Sequence, residues 1–205
     1  WYEVAVLMSG NEIDKLINEI SRLPGLGRKS AQRIALYLLK NKERSLLPLT
    51  QTMTEANQKI VNCEICANID INSPCSICQN SKRDQKTICV LEGVSDLWTF
   101  ERIGFYRGMY HVLEGTLSAI NGIGLDELRI NKLIKRIKTQ KVKEVILALS
   151  TTMEGQTTSH VIADKLESLE VVVTRLAQGI PIGGEVHYLD ENTLSTAFQS
   201  RKKII

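Results

Sequence analysis

Two Cys-x-x-Cys pairs, Cys63 with Cys66 and Cys75 with Cys78, restrict this chain more than any other feature; eight residues separate the pairs. A Cys-x-x-Cys turn can aim both sulfurs at one ion, and two such turns complete a tetrahedral thiolate set. With all four positions filled by protein no place is left for a substrate, so the predicted ion at Cys63, Cys66, Cys75 and Cys78 is a structural Zn2+. The surrounding segment is short and polar, with too little apolar material to fold unaided, so metal binding supplies the folding energy. Unrelated reduced thiols are the alternative. The fifth cysteine, Cys89, alternates with Ile88 and Val90 and reads as an inert core residue. No run approaches the roughly 18 apolar residues of a membrane span. The stretch Trp1–Met8 is apolar but lacks the basic flank and cleavage site of a secretion signal. A cytoplasmic chain is therefore expected, where clustered thiols stay reduced and bind metals.

Ahead of the cysteines the pattern is helical. Ile13, Leu16, Ile17 and Ile20 share one face, then Ile34, Ala35, Leu38 and Leu39 repeat it, and a third helical stretch runs from about Thr52 to Val61. Between the first two lies Leu23-Pro24-Gly25-Leu26-Gly27, followed by Arg28, Lys29 and Arg33. Two glycines permit a tight positive-φ turn, and the turn feeds a helix N-terminus whose free N–H groups favour an anion. Lys29 and Arg33, four residues apart, share a face of the second helix. This is the pattern of a helix-hairpin-helix motif that grips the DNA backbone without reading sequence, through Gly25, Gly27, Arg28, Lys29 and Arg33. The alternative is a glycine turn with solvated charges. Gly122-Ile123-Gly124 has no clean helix before it and reads as a turn.

Beyond the cysteines, strand and helix texture alternate: strands at Thr87–Leu91, Val145–Leu149 and Val171–Leu176, helices at Asp96–Arg102, Asp126–Lys138 and Thr157–Leu169. Such alternation predicts a mostly parallel α/β sheet, with Val171–Leu176 as another buried strand. The tail carries a strand-like Val186-His187-Tyr188-Leu189 run. Glu92 and Glu154 each follow an apolar strand, at the edge where α/β folds place their sites, and Asp96 sits on the helix after Glu92. The layout resembles the Toprim domain of topoisomerases, primases and some nucleases, which hold Mg2+ with a Glu after one strand and a D-x-D pair after another. Here Thr152 and Gln156 flank Glu154, so carboxylates are scarce for a catalytic Mg2+ site. Helix capping and partner contacts are the other roles open to these acids.

No phosphate-binding loop accompanies the tail's Walker-B-like run, so no ATP site is expected. His111, His160 and His187 lack metal or triad spacing and are expected to be structural or at the surface. Arg129, Lys132, Lys135, Arg136, Lys138, Lys141 and Lys143 form a basic run, either a DNA-facing patch or a solvated helix face. A net charge of +3 permits nucleic-acid binding without arguing for it.

Taken in order, S-R-L-P-G-L-G-R-K-S-A-Q-R, the four-cysteine knuckle, I-C-V-L-E, Y-R-G-M-Y-H-V-L, L-R-I, T-x-E-G and G-I-P-I-G-G resemble the bacterial RecR recombination family from about Asn11 onward. The resemblance implies a non-enzymatic mediator that works with RecO, and in some pathways RecF, to help load RecA onto single-stranded DNA. It implies a ring-like oligomer, typically a tetramer, built through the hairpin domain and the C-terminal region, in the cytoplasm at the nucleoid. By motif, Lys29 and Arg33 match the family's DNA-contacting cations, the four cysteines its zinc ligands, and Glu92 and Glu154 its Toprim acids. Arg28, Ala119 and Leu125 stand where many members have Pro, and Gly93 where they have a second acid. The expected organisation is a helix-hairpin-helix domain at 10–62, a four-cysteine zinc finger at 63–85, a Toprim domain at 86–182 and a C-terminal oligomerisation segment at 183–205. A Mg2+-dependent nuclease or nicking enzyme is the competing function, and a protein adaptor that binds no DNA a third.

Overall fold

The computed structural model of the chain describes residues 11–201 and 203, so Trp1–Met8 lies outside the described residues. The chain divides into two compact units, one ending at Ile60 and the other beginning at Val61.

The first unit is helical. Helix α1 (Asn11–Ser21) and helix α2 (Arg28–Lys40) form a hairpin around Ile17, Ala31 and Ala35, flanked by Ile13, Leu16 and Ile20. Two alanines on α2 let the helices approach closely where Ile17 fills the gap. A single π-helical segment, Lys42–Leu46, leads into helix α3 (Leu47–Lys59), which begins upstream of the expected Thr52. Pro48 accounts for that start, because its missing N–H costs nothing in a first helical turn. No residue of α3 is buried, and Leu36, Tyr37, Leu47, Leu49 and Met53 are exposed.

The second unit opens with a two-stranded ribbon, β1 (Val61–Asn62) and β2 (Ile69–Asp70), and a short helix, α4 (Ser76–Gln79). Then come β3 (Asp84–Leu91), α5 (Val94–Ile103), β4 (Gly108–Val112), α6 (Ile130–Gln140), β5 (Glu144–Leu147), α7 (Met153–Leu166) and β6 (Val172–Arg175). The strands form a parallel sheet in the order β4-β3-β5-β6. Alternation along β3 sorts its side chains to two faces. Ile88 and Val90 join Leu133 and Ile137 of α6 and Ile162 and Leu166 of α7, whereas Cys89 and Leu91 join Leu97 of α5, Tyr110, Val112 and Ala67. Burial pushes the Cys89 thiol up to about 12, which keeps it protonated and unreactive.

Several expectations needed correction. β6 is an edge strand, not a buried one: Val172 is 62% exposed and β6 pairs with β5 alone. Val186–Tyr188 is a 3-10 turn, so the strand-like run is no strand, and helix α8 (Glu191–Gln199) follows, capped by the Asp190 carboxylate accepting from Thr193 N–H at 2.9 Å. β4 was not anticipated, yet all five of its residues are buried. Arg136 is buried within α6 and Arg129 turns inward just before it, which removes both from any surface patch and leaves the exposed lysines.

Candidate functional site

The knuckle is built by two turns. In the first, Cys63 N–H donates to Asn68 O at 2.7 Å and Ala67 N–H to Cys63 O at 2.9 Å, so the chain doubles back and brings Cys66 beside Cys63. In the second, Cys75 starts α4, and its single turn returns Cys78 to the same point. Asp70 fastens the turns together, accepting from Ser76 N–H and Ser76 Oγ, both at 2.9 Å. These donors, the backbone N–H first, hold the Asp70 carboxyl below its ordinary range.

All four sulfurs lie within 4.8 Å of one another, the one such group of three or more potential ligands among the described residues. Cys66 and Cys75 are 3.5 Å apart at sulfur, and Cys63 and Cys78 3.9 Å. Tetrahedral zinc–sulfur bonds of about 2.3 Å would separate ligand sulfurs by about 3.8 Å. Main-chain N–H groups already point at the set, Asn68 to Cys66 Sγ at 3.4 Å and Cys75 to Cys63 Sγ at 3.3 Å, as donors that suit a charged thiolate. A cation at the centre lets all four ionise, so the residues fit a bound metal ion.

At the hairpin, Gly25 has φ +77°, a left-handed conformation that glycine adopts without strain. Gly27 does not: its φ is −79°, so only one of the two expected positive-φ glycines occurs. A Cβ at Gly27 would meet nothing of the protein within 4 Å, so neither conformation nor packing demands a glycine there. What glycine leaves is clear space at the start of α2, and no side chain caps that end. Lys29 and Arg33 are exposed on α2, beside Gln32 and Leu36 in a shallow groove. Arg28 points back across the hairpin, donating to Asn18 Oδ1 at 2.9 Å with Asp14 at 3.9 Å. It therefore braces the turn.

The acids are occupied by the protein. Glu92 accepts from Ser150 N–H, Asp96 from Gly93 N–H at 3.0 Å as a cap on α5, and Glu154 from Ser118 Oγ at 2.6 Å. Glu92 and Asp96 line one groove with Glu114. Gly122-Ile123-Gly124 lies in a turn closed by a bridge between Ser118 and Ile123.

Three family models cover most of the chain: RecR helix-hairpin-helix at residues 13–57, Toprim domain at 86–177 and RecR C-terminal at 179–202. The recombination protein RecR of Brucella anthropi is 51% identical over 194 residues, covering 95% of this chain and 96% of that protein. This chain belongs to the RecR family. The RecR proteins of Sinorhizobium medicae and Xanthobacter autotrophicus are 48% and 49% identical, covering 98% and 96% of this chain and 100% and 98% of theirs.

Within this RecR-family chain, composition-based reading missed the residues that bind the knuckle to the sheet unit. Val112 N–H donates to Cys66 O at 2.9 Å, Arg129 Nη2 to Glu64 O at 2.9 Å, and Trp98 Nε1 to Asn68 Oδ1 at 3.1 Å. Long-range main-chain acceptors leave no local trace in sequence. His111 is fully buried, its Nε2 3.0 Å from Arg129 O, and burial pulls its pKa down to about 3. It is a structural residue of β4. Among the described residues no helix is long and apolar enough to cross a membrane.

Proposed function

We propose that this chain is a non-enzymatic recombination mediator that binds DNA without sequence preference as a clamp-like oligomer, a tetrameric ring. It acts with RecO, and with RecF where that pathway operates, to help load RecA onto single-stranded DNA, in the cytoplasm at the nucleoid. The observation that carries DNA binding is the uncapped start of α2 next to Gly25 and Gly27, with Lys29 and Arg33 exposed beside it. Free N–H groups, open space and two cations suit a backbone phosphate of single-stranded, duplex or junction DNA. Arg28 holds the turn in shape. Zn2+ at Cys63, Cys66, Cys75 and Cys78 is structural, since four protein ligands leave no open position. The working division is 10–62 for DNA, 63–85 for metal, 86–182 for partners and 183–205 for oligomerisation, with the exposed Leu36, Tyr37, Leu49 and Met53 as a further assembly face.

Glu92, Asp96 and Glu154 serve partner contacts in this reading and cut no DNA, each carboxylate being already engaged by a protein donor. The test is supercoiled plasmid incubated with pure protein and Mg2+, read on one gel for mobility and nicking. A shift without nicks is expected. Nicking that disappears in Glu92→Gln would replace the mediator with a Mg2+-dependent nicking enzyme, and no shift at any salt concentration would favour a protein adaptor.

A further inference from the structure

Helix α6 carries no acidic residue, and every charged side chain it shows to solvent is a lysine. Ile130, Leu133 and Ile137 turn inward with Arg136, while Lys132, Lys135 and Lys138 are exposed at intervals of three, about 4.5 Å apart along the axis. The helix ends at Lys141, itself exposed, and Lys143 follows just before β5. Lys138, Lys141 and Lys143 line one groove with Ser168, Leu169 and Glu170, at the end of the parallel sheet opposite Glu92.

Solvated charge elsewhere in this chain is arranged differently. Around α1, Lys15 pairs with Glu12 at 3.2 Å and Arg22 with Glu19 at 2.7 Å, and on α3 Lys59 pairs with Glu55 at 3.3 Å. Among the described residues no carboxylate forms an ion pair with any of the five lysines. The acids at this end of the sheet are bonded to neutral donors instead. Asp84 accepts from Thr87 Oγ1 at 2.6 Å and Lys86 N–H at 2.8 Å, and Glu144 accepts from Thr174 Oγ1 at 2.9 Å. Like charges one turn apart repel, so the ladder works against the helix that bears it. Lys141 adds a second sign: its φ is +50°, the left-handed position after a helix that glycine usually fills.

We propose that the outer face of α6, from Lys132 to Lys143, is a second nucleic-acid contact that takes the phosphate backbone of duplex DNA. The inference rests on DNA being the partner and not on the hairpin. Lysine is a compact point charge without the fork of arginine, which suits backbone phosphates better than base edges. Surfaces for single strands combine cations with aromatic side chains on which bases stack, and neither α6 nor the groove has an aromatic residue. A duplex presents one phosphate charge per about 1.7 Å of its axis, so a ladder of cations meets several at once.

The test uses the full chain and follows binding to a blunt duplex by fluorescence anisotropy across a salt series. Lys132→Gln with Lys135→Gln and Lys138→Gln is expected to lower the slope of log affinity against log salt by about 0.9 for each lysine, with a smaller effect on single-stranded DNA of equal length. Lys141→Gly removes a charge and relieves the left-handed backbone, so melting is expected to hold or rise while duplex affinity falls. A wild-type duplex slope in the triple variant would overturn the inference. So would a loss confined to binding of a polyglutamate peptide, which would assign the face to an acidic protein. Should the triple variant fail to fold, Lys141→Gly decides, and wild-type duplex affinity there overturns it. Unaltered duplex binding in Lys29→Ala with Arg33→Ala would instead remove the hairpin reading and leave α6 as the contact.

Discussion

In the helical unit the buried apolar residues among those described are Ile17, Ala31, Ala35 and Leu38, all from α1 and α2, while α3 buries nothing. In the sheet unit both faces of β3 are covered, and Ile88, Val90, Leu91, Leu97, Leu133 and Ile162 are fully buried. One unit hides little and leaves leucines, a tyrosine and a methionine outside; the other closes a core of its own while also leaving Trp98, Ile103 and Phe105 exposed. Small helical units bury too small a share of their surface to be strongly stable, so the first unit is suited to gaining stability from contacts it has yet to make. The knuckle, equally short of apolar residues, holds four sulfurs close enough to take a metal ion, whose ligand bonds would stand where a core would be.

The sharpest way to break this contrast is at the knuckle. Cys75→Ser should release the metal and cost about 4 kcal/mol or more, as losses of a structural metal do. A monodisperse Cys75→Ser chain with wild-type melting and full metal content would show that the ligand set is dispensable. Next, Leu133→Ala in the sheet core should cost about 2–5 kcal/mol by chemical denaturation. In the same assay Met53→Ala, at an exposed site, should stay within about 0.5 kcal/mol while altering assembly in ultracentrifugation. Equal losses from both would dissolve the distinction between the units.

The pH response should also separate them. Burial, with the charges of Arg136, Arg129 and Lys132 adding to it, depresses the His111 pKa to about 3 in the folded chain. The unfolded chain then takes up the proton first, so stability is fully present above about pH 6.5 and falls toward pH 3, by up to about 1.4 kcal/mol per unit. His111→Gln should flatten that slope in pH-dependent denaturation, and an unchanged slope would assign the acid response elsewhere. The smallest effect on stability belongs to the hairpin. Lys29→Ala with Arg33→Ala should leave melting unaltered yet weaken binding to all DNA sequences alike, reducing the salt slope by about one per cation lost. Selective loss on one sequence would contradict backbone-directed binding.

The hairpin and the cysteine turns were legible because glycine, proline and cysteine carry their constraints locally. β3 was legible only in its β-branched second half, Thr87–Leu91, its polar start at Asp84 going unread, and β5 from the apolar run Val145–Leu149. Val171–Leu176 opens on three valines but carries Thr174 and Arg175, and whether a strand lies inside a sheet or at its edge depends on what arrives beside it. Gly-Met-Tyr-His-Val looks least like a buried strand, because the cost of hiding His111 is met by Arg129 O, far along the chain. Arg136 could have been found: it lies three residues after Leu133 and next to Ile137, on the stripe that faces the sheet. Reading charge as exposure concealed it.

The outer rim of β4 is taken up at three outward groups: Arg83 Nε donates to Gly108 O at 2.9 Å, Arg136 to Tyr110 O, and Val112 to Cys66 O. Among the described residues no strand pairs with the outer side of β6. A covered margin offers an incoming strand no unpaired main-chain groups, so any strand added to this sheet would have to join at β6.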